Sequence, residues 1–397
     1  MTKELELFMQ NIRDGLITFC RDLVQIKSVT GQEEPVLRRI KAEMEKLGYD
    51  RIRTDSVGNL IGQLGTGNTV ILFDSHTDTV SADEAGWSFP PFEGRILDKK
   101  LCGRGSVDMK SSLAASVYGA YIARELGCIH GKTILVSCSV MEEDFDGVAL
   151  DRELDEMEKV PEYAVICEPT NLRLGLGHQG RALYNITSKG VGVHASRHYL
   201  GVNALYEMMP VLERIREKGI RLAQEGGDRG SIAVTRITSD AGSINSIPHS
   251  CAITVDRRLT KSDTVDTLKQ EAEDFIGNSD AVWEICNISG KSWRRTPVTL
   301  RSYLPGWQIS EDSALAMAAR SAIKEAGMEP VSYIRSGCTN GVATAGKRGI
   351  PTILFGAGDE RLCHMPDECC PLKEIVSAAA VYSILIRNLS ANGETGL

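Results

Sequence analysis

Four stretches of this 397-residue chain are almost continuously apolar: 70–80 (VILFDSHTDTV), 133–140 (TILVSCSV), 163–167 (YAVIC) and 351–358 (PTILFGAG). Runs of this length, rich in β-branched residues and separated by helical patterns, read as strands buried on both faces. They predict an α/β fold: a mostly parallel sheet with helices on both faces. Helices are expected over 4–49, 111–126, 312–325 and 372–389, and a further strand over 331–334. In 35–47, Val36, Ile40, Met44 and Leu47 form one stripe, and Pro35 suits a first helical position.

Between 180 and 292 the pattern changes. Segment 180–188 alternates, as a half-buried strand does. Segment 202–218 places Leu205, Met208, Met209, Leu212 and Ile215 on one helical face, with Pro210 expected to kink or split it. Strands follow at 231–237 and 250–259, a helix at 263–276 and a strand at 281–288. Strand-helix-strand-strand-helix-strand is the ferredoxin-like order. The expected organisation is a catalytic domain of residues 1–180 and 293–397, interrupted by an inserted α+β lid or dimerisation domain of residues 181–292.

Composition narrows the class. Hydrophobic content of 42% and charged content of 25% are ordinary for a soluble globular chain. A net charge of -8 argues against a nucleic-acid partner. No apolar run nears the roughly 20 residues of a membrane helix. The start, MTKELELFMQ, lacks the basic and apolar blocks of a signal peptide. Eleven cysteines without a C-x-x-C pair read as reduced thiols of a cytoplasmic protein, with Cys363, Cys369 and Cys370 as packing residues. His130, His178, His198 and His249 are expected to be ordinary surface or loop histidines.

The chemistry lies at the ends of the apolar runs. His76-x-Asp78 closes the first, Glu142-Glu143 follows the second, Glu168 the third, and His364 comes soon after the fourth. In open parallel sheets such positions converge on one edge. Asp108, in GRGSVDMK at the entry to a helix, can reach the same edge. Two histidines and three carboxylates exceed one tetrahedral ion and suit two ions sharing a carboxylate. Neighbouring residues of an extended segment point to opposite sides. One of Glu142 and Glu143 could therefore bind metal while the other serves as general base. Gly131-Lys132-Thr133 is no phosphate loop, because position 126 is Leu.

As a set, IKSVTG (26–31), SHTDTV, GRGSVDMK, MEED, CEPT, GVHAS and HMPDE resemble the two-zinc family of aminoacylase, acetylornithine deacetylase, succinyl-diaminopimelate desuccinylase and carboxypeptidase G. EEDFDG, CAITVDRRLT, TNGV and KRGIPTILFGAG are most similar to its YgeY-type branch. The resemblance implies His76 and Glu168 on one metal, Glu143 and His364 on the other, and Asp108 bridging them through a cis peptide to Met109. It also implies that Asp78 orients His76 and that Glu142 is the general base. His194 would reach the scissile carbonyl of the other subunit, while Asn245 and Arg258 would contact substrate. Gln179 departs from the family, which often carries Arg there.

The implied protein is a cytoplasmic two-zinc hydrolase, with cobalt or manganese also suited to the ligands. It would cleave the amide of an N-acyl or N-carbamoyl amino acid, or of a short peptide, with water activated between the metals. The expected assembly is a homodimer through the inserted domain. A different class, a catalytically inactive metal-containing binding or regulatory homodimer, is disfavoured by the presence of Glu142.

Overall fold

A computed structural model describes residues 2–225 and 230–389. Its main sheet has nine strands among the described residues. At its centre Lys132–Ser139, Thr69–His76, Tyr163–Ile166 and Thr352–Leu354 lie side by side and parallel. Antiparallel strands flank them: Leu60–Leu64 and Arg51–Thr54 on one side, Leu174–His178 and Trp307–Gln308 on the other.

The reason for the unbroken apolar runs is visible residue by residue. Ile71 and Phe73 enter one core, shared with the helices Lys3–Gln25, Lys110–Glu125, Ala314–Glu325 and Leu372–Asn388. Val70 and Leu72 enter a second core on the opposite face, with Leu150 and Leu154 of the helix Val148–Asp155. Every position of Thr69–His76 and of Lys132–Ser139 is buried, so neither face tolerates the polar alternation of a one-sided sheet.

From Leu174–His178 the chain passes through Gln179 alone into Gly180–Lys189, the first strand of a second sheet. Its principal order is Ser231–Asp240, Ser250–Leu259, Gly180–Lys189, Val282–Ile285, all antiparallel. The helices Ala204–Glu225 and Val265–Ile276 close a separate core, whose fully buried members all fall between Ala182 and Ile276. The return path, Tyr303–Leu304 then Trp307–Gln308, pairs first with Gly180–Lys189 and then with Leu174–His178. The two crossings touch. A Cβ on Gly180 would lie 2.4 Å from Gly306 N, so the contact needs a residue without a side chain.

Several local expectations need correction. Pro210 sits inside a helix that runs without a break from Ala204 to Glu225, held to the core by Met208, Val211 and Ile215. The strand expected at 281–288 ends at Ile285. Asn287–Lys291 instead pairs with Pro297–Arg301, whose Val298 and Leu300 belong to the larger core. Cys102 and Cys369 are disulfide-bonded, where reduced thiols were expected. They are register partners on adjacent antiparallel strands, 267 residues apart in sequence, a proximity that spacing cannot reveal. The other nine cysteines are free. His178 is buried, not a surface residue, because it ends an interior strand and lies against Trp307.

Candidate active site

Each parallel strand delivers its chemistry at its carboxyl end. His76 is the last residue of Thr69–His76. Its Nδ1 lies 2.9 Å from the backbone oxygen of Asp78, so the proton is held there and Nε2 is left as a lone-pair donor. The Asp78 carboxylate lies farther away, at 3.6 Å. It accepts instead from Thr30 Oγ1 at 2.8 Å, Glu142 N at 3.0 Å and Glu143 N at 3.1 Å. Asp78 thus meets His76 through its main chain, while its side chain fixes the turn that carries both glutamates.

That turn is not extended. Met141 adopts φ 62°, and Glu142–Phe145 forms one helical turn. The expected alternation of Glu142 and Glu143 therefore gives way to helical geometry, in which neighbours differ by about 100° around the axis. The glutamates still diverge. Glu143 Oε2 lies 3.0 Å from His364 Nε2, whereas Glu142 Oε2 lies 4.0 Å from His76 Nε2.

Asp108 stands between the two histidines. Its Oδ1 is 3.0 Å from His76 Nε2 and its Oδ2 is 3.4 Å from His364 Nε2. The Asp108–Met109 peptide is cis. Glu168, just beyond Tyr163–Ile166, places Oε1 3.9 Å from His76 Nε2. Two clusters result, each with ligand atoms within 4.8 Å of one another: His76, Asp108 and Glu168, and Asp108, Glu143 and His364.

The charge balance of this edge calls for cations. Asp78, Asp108, Glu142 and Glu168 are buried and Glu143 nearly so. Burial pushes the Glu142 carboxyl well above its usual range, against the pull of His76 and with Glu168 adding to the rise. Burial also lifts Glu168 to about 7 although Arg335 pulls it down. Hydrogen bonds to Asp108 and Glu143 raise His364 to about 10. A nitrogen and two carboxylates in each cluster, with one carboxylate common to both, form a donor set that fits divalent zinc or a neighbouring metal.

The inserted sheet brings Arg258 toward this edge. Arg258 and Arg181 are cross-strand partners. Arg181 Nη2 lies 3.4 Å from Asp146 Oδ2, and burial raises Asp146 while Arg181 and then Arg258 pull it down. Arg258 itself meets Asp256 at 3.0 Å. His194 and Asn245 lie together elsewhere on the insert and are exposed: His194 bridges to Ser246, and Ala195 N donates to Asn245 O at 2.7 Å. The partners of His194 are local, with Nδ1 2.8 Å from Ser196 Oγ and accepting from Ser196 N at 3.3 Å.

Residues 72–388 match the peptidase family M20/M25/M40. The chain belongs to that family. The YgeY protein of Escherichia coli (strain K12) is 33% identical over 388 residues, spanning 96% of both sequences. The succinyl-diaminopimelate desuccinylase of Acidiphilium cryptum (strain JF-5) is 27% identical over 386 residues, spanning 93% of this chain and 97% of that one. Aminopeptidase PepT of Bacillus cereus ATCC 10987 shares the fold, with a TM-score of 0.73 at 19% identity over 95% of this chain and 98% of that one. As an M20 protein, the chain is a metal-dependent hydrolase acting on amide or peptide bonds.

Several residues outside the motif-derived set also shape this M20 site. Arg335 Nη2 lies 3.2 Å from Glu168 Oε2, and its Nη1 donates to Pro169 O at 2.9 Å. Glu33 accepts from Gly31 N at 2.9 Å and Met141 N at 3.1 Å, steadying the glutamate turn from behind. Lys110 is fully buried and donates to Leu23 O and Ile26 O at the end of the first helix. Burial pushes its pKa down to about 7. Lys110 lies in GRGSVDMK and Glu33 two residues beyond IKSVTG, so attention to charged residues within or beside the motifs would have raised them. Arg335 lies in no motif that the sequence singled out.

Proposed function

We propose that this protein is a two-zinc deacylase or short-peptide peptidase whose substrates are N-acyl or N-carbamoyl amino acids, or small peptides, with a free carboxylate. The observation that carries the reading is Asp108, which offers one oxygen to each histidine while Glu142 stands 4.0 Å from His76. His76, Asp108 and Glu168 would hold one zinc, and Asp108, Glu143 and His364 the other. When bound, zinc lowers the pKa of water and polarises a carbonyl.

The chain's own residues supply the rest. Glu142 takes the proton of the attacking water at its Oε2 and passes it to the leaving nitrogen. Asp78 holds Glu142 in place by accepting a hydrogen bond from its backbone N–H. Arg258, already held side-on by Asp256, retains Nη1 to grip a substrate carboxylate. Asn245 contacts the substrate near His194.

His194 acts from a second subunit in this reading. Its Nδ1 accepts from Ser196 N, which leaves Nε2 with the proton as a donor for a developing oxyanion. Residues 181–292 are then the lid and dimerisation domain of a homodimer. Its surface exposes Tyr199, Leu200, Tyr206 and Met209, apolar area suited to a partner copy. We place the protein in the cytoplasm: its nine free cysteines outnumber its one pair. No described helix is long and apolar enough to cross a membrane.

The test is metal content and amine release. Purified protein is analysed for metal, then offered a panel of N-acyl amino acids, N-carbamoyl amino acids and dipeptides, with and without a chelator. Two zinc ions per chain and chelator-sensitive amine release are expected. Bound metal without release from any member would count against the hydrolytic reading.

A further inference from the structure

We infer that Glu368 is the positioning residue that sets the second metal position, by fixing Asp108 and His364 relative to each other. This rests on the two-zinc reading above. Glu368 is in neither donor cluster, yet its side chain has no exposure. Four donors converge on it. Arg104 Nη1 lies 2.6 Å and Gly105 N 3.2 Å from Oε2, and Val107 N lies 2.6 Å and Asp108 N 3.0 Å from Oε1. The turn 103–108 folds its amides inward around this carboxylate, with Gly103 at φ 147° and Gly105 at φ 85°.

The second half of the clamp reaches His364. Arg104, itself buried, donates from Nη2 to His364 O at 3.2 Å. The backbone oxygen of Glu368 accepts from Gly103 N at 2.9 Å and from Ser106 Oγ at 3.0 Å. Two segments some 260 residues apart in sequence are therefore locked at one carboxylate. His364 needs such support. It lies outside regular structure, at φ 65°, and its side chain is 54% exposed. His76, by contrast, is fixed by its strand, so the other cluster depends on the clamp only through Asp108.

A carboxylate suits this place because three amides and the Arg104 Nη1 group would otherwise be buried without acceptors. Gln at 368 keeps the size and one acceptor oxygen but turns an NH₂ group toward donors. The loop should then relax and move Asp108 Oδ2 and His364 apart.

Zinc binding to Glu368→Gln is measured by competition with a chromogenic chelator, beside circular dichroism and thermal melting. The pH is 8, above the value of about 7 to which burial pushes Glu368 against its Asp108 amide and Arg104. One zinc affinity should fall about 10–100-fold, the range for losing a supporting partner of a metal ligand, and the other should fall less, because its cluster meets the clamp only through Asp108. Folded Glu368→Gln with both affinities within about twofold of wild type would overturn the inference, even if its melting temperature fell. If Glu368→Gln does not fold, Arg104→Lys decides. It keeps a charge beside Glu368 but loses the reach to His364 O, and should weaken the same zinc by about tenfold. Unchanged affinities there would also overturn the inference. A wild type that holds fewer than two zinc ions would instead remove the two-metal reading, and this inference with it.

Discussion

Glu142 and Glu143 are adjacent, yet only Glu143 meets a histidine at ligand-sharing distance, 3.0 Å from His364. Glu142→Gln should therefore keep both metals and lose turnover by about 10²–10⁴, the usual contribution of a general acid–base group. Metal analysis beside initial rates checks this, and turnover within about tenfold of wild type would dismiss Glu142 as the base. His178 supports a second test at this scale. Burial pushes its pKa down to about 3, with Thr339 Oγ1 3.0 Å from Nδ1. The unfolded chain protonates this imidazole near pH 6.5 and the folded chain does not. Stability contributed by the neutral ring is thus complete above about pH 6.5 and falls as pH drops toward 3, by about 1.4 kcal/mol per pH unit. Below about pH 6.5, denaturation at several pH values should give wild type a slope larger than that of His178→Asn by about this amount. Equal slopes would mean that His178 already ionises in the folded protein.

At the scale of elements, the four parallel strands were legible because burial on both faces leaves no polar alternation, as Val70 and Leu72 facing away from Ile71 and Phe73 illustrate. The metal-site histidines and carboxylates could be singled out for the same reason: each follows a recognisable strand. What was illegible depends on distant partners. Cys102 finds Cys369, Arg335 finds Glu168, and Arg104 finds Glu368, across separations that no local pattern encodes. The glutamate turn was misjudged because Met141 at φ 62° ends the extended geometry one residue before Glu142. Contacts between elements also set a testable packing limit. Gly58 has φ 122°, accepts at its carbonyl oxygen from Trp293 Nε1–H at 3.1 Å, and would put a Cβ 2.2 Å from that nitrogen. Gly58→Ala should cost about 2–4 kcal/mol by strain and overpacking together. Gly127→Ala, also at positive φ but with open space around it, should cost about 1 kcal/mol from backbone strain alone. Equal losses in chemical denaturation would mean that the Trp293 contact does not restrict Gly58.

For the whole molecule, the order of the inserted elements was readable, but the sheet's outer strands were not. Gly180–Lys189 is covered on both sides, and Ser231–Asp240 offers a free edge instead. That edge, together with the exposed Tyr206 and Met209 of the neighbouring helix, is the surface through which two inserts could meet. Among the described residues the His194 side chain hydrogen-bonds with Ser196 alone, so its catalytic use depends on what faces it in an assembly. Subunit complementation reads this directly. Glu142→Gln and His194→Ala are each expected to abolish activity as homodimers, one by loss of the base and the other by loss of the oxyanion donor. Co-expressed with different affinity tags and purified as mixed dimers, they should regain about half of the wild-type rate. The centre on the His194→Ala subunit has an intact Glu142 and receives His194 from its partner, whereas the other centre lacks both. Mixed dimers that bind metal but show no more activity than the parents would place His194 outside catalysis or within its own chain. A monomeric wild type at assay concentrations, still active, would remove the trans role altogether.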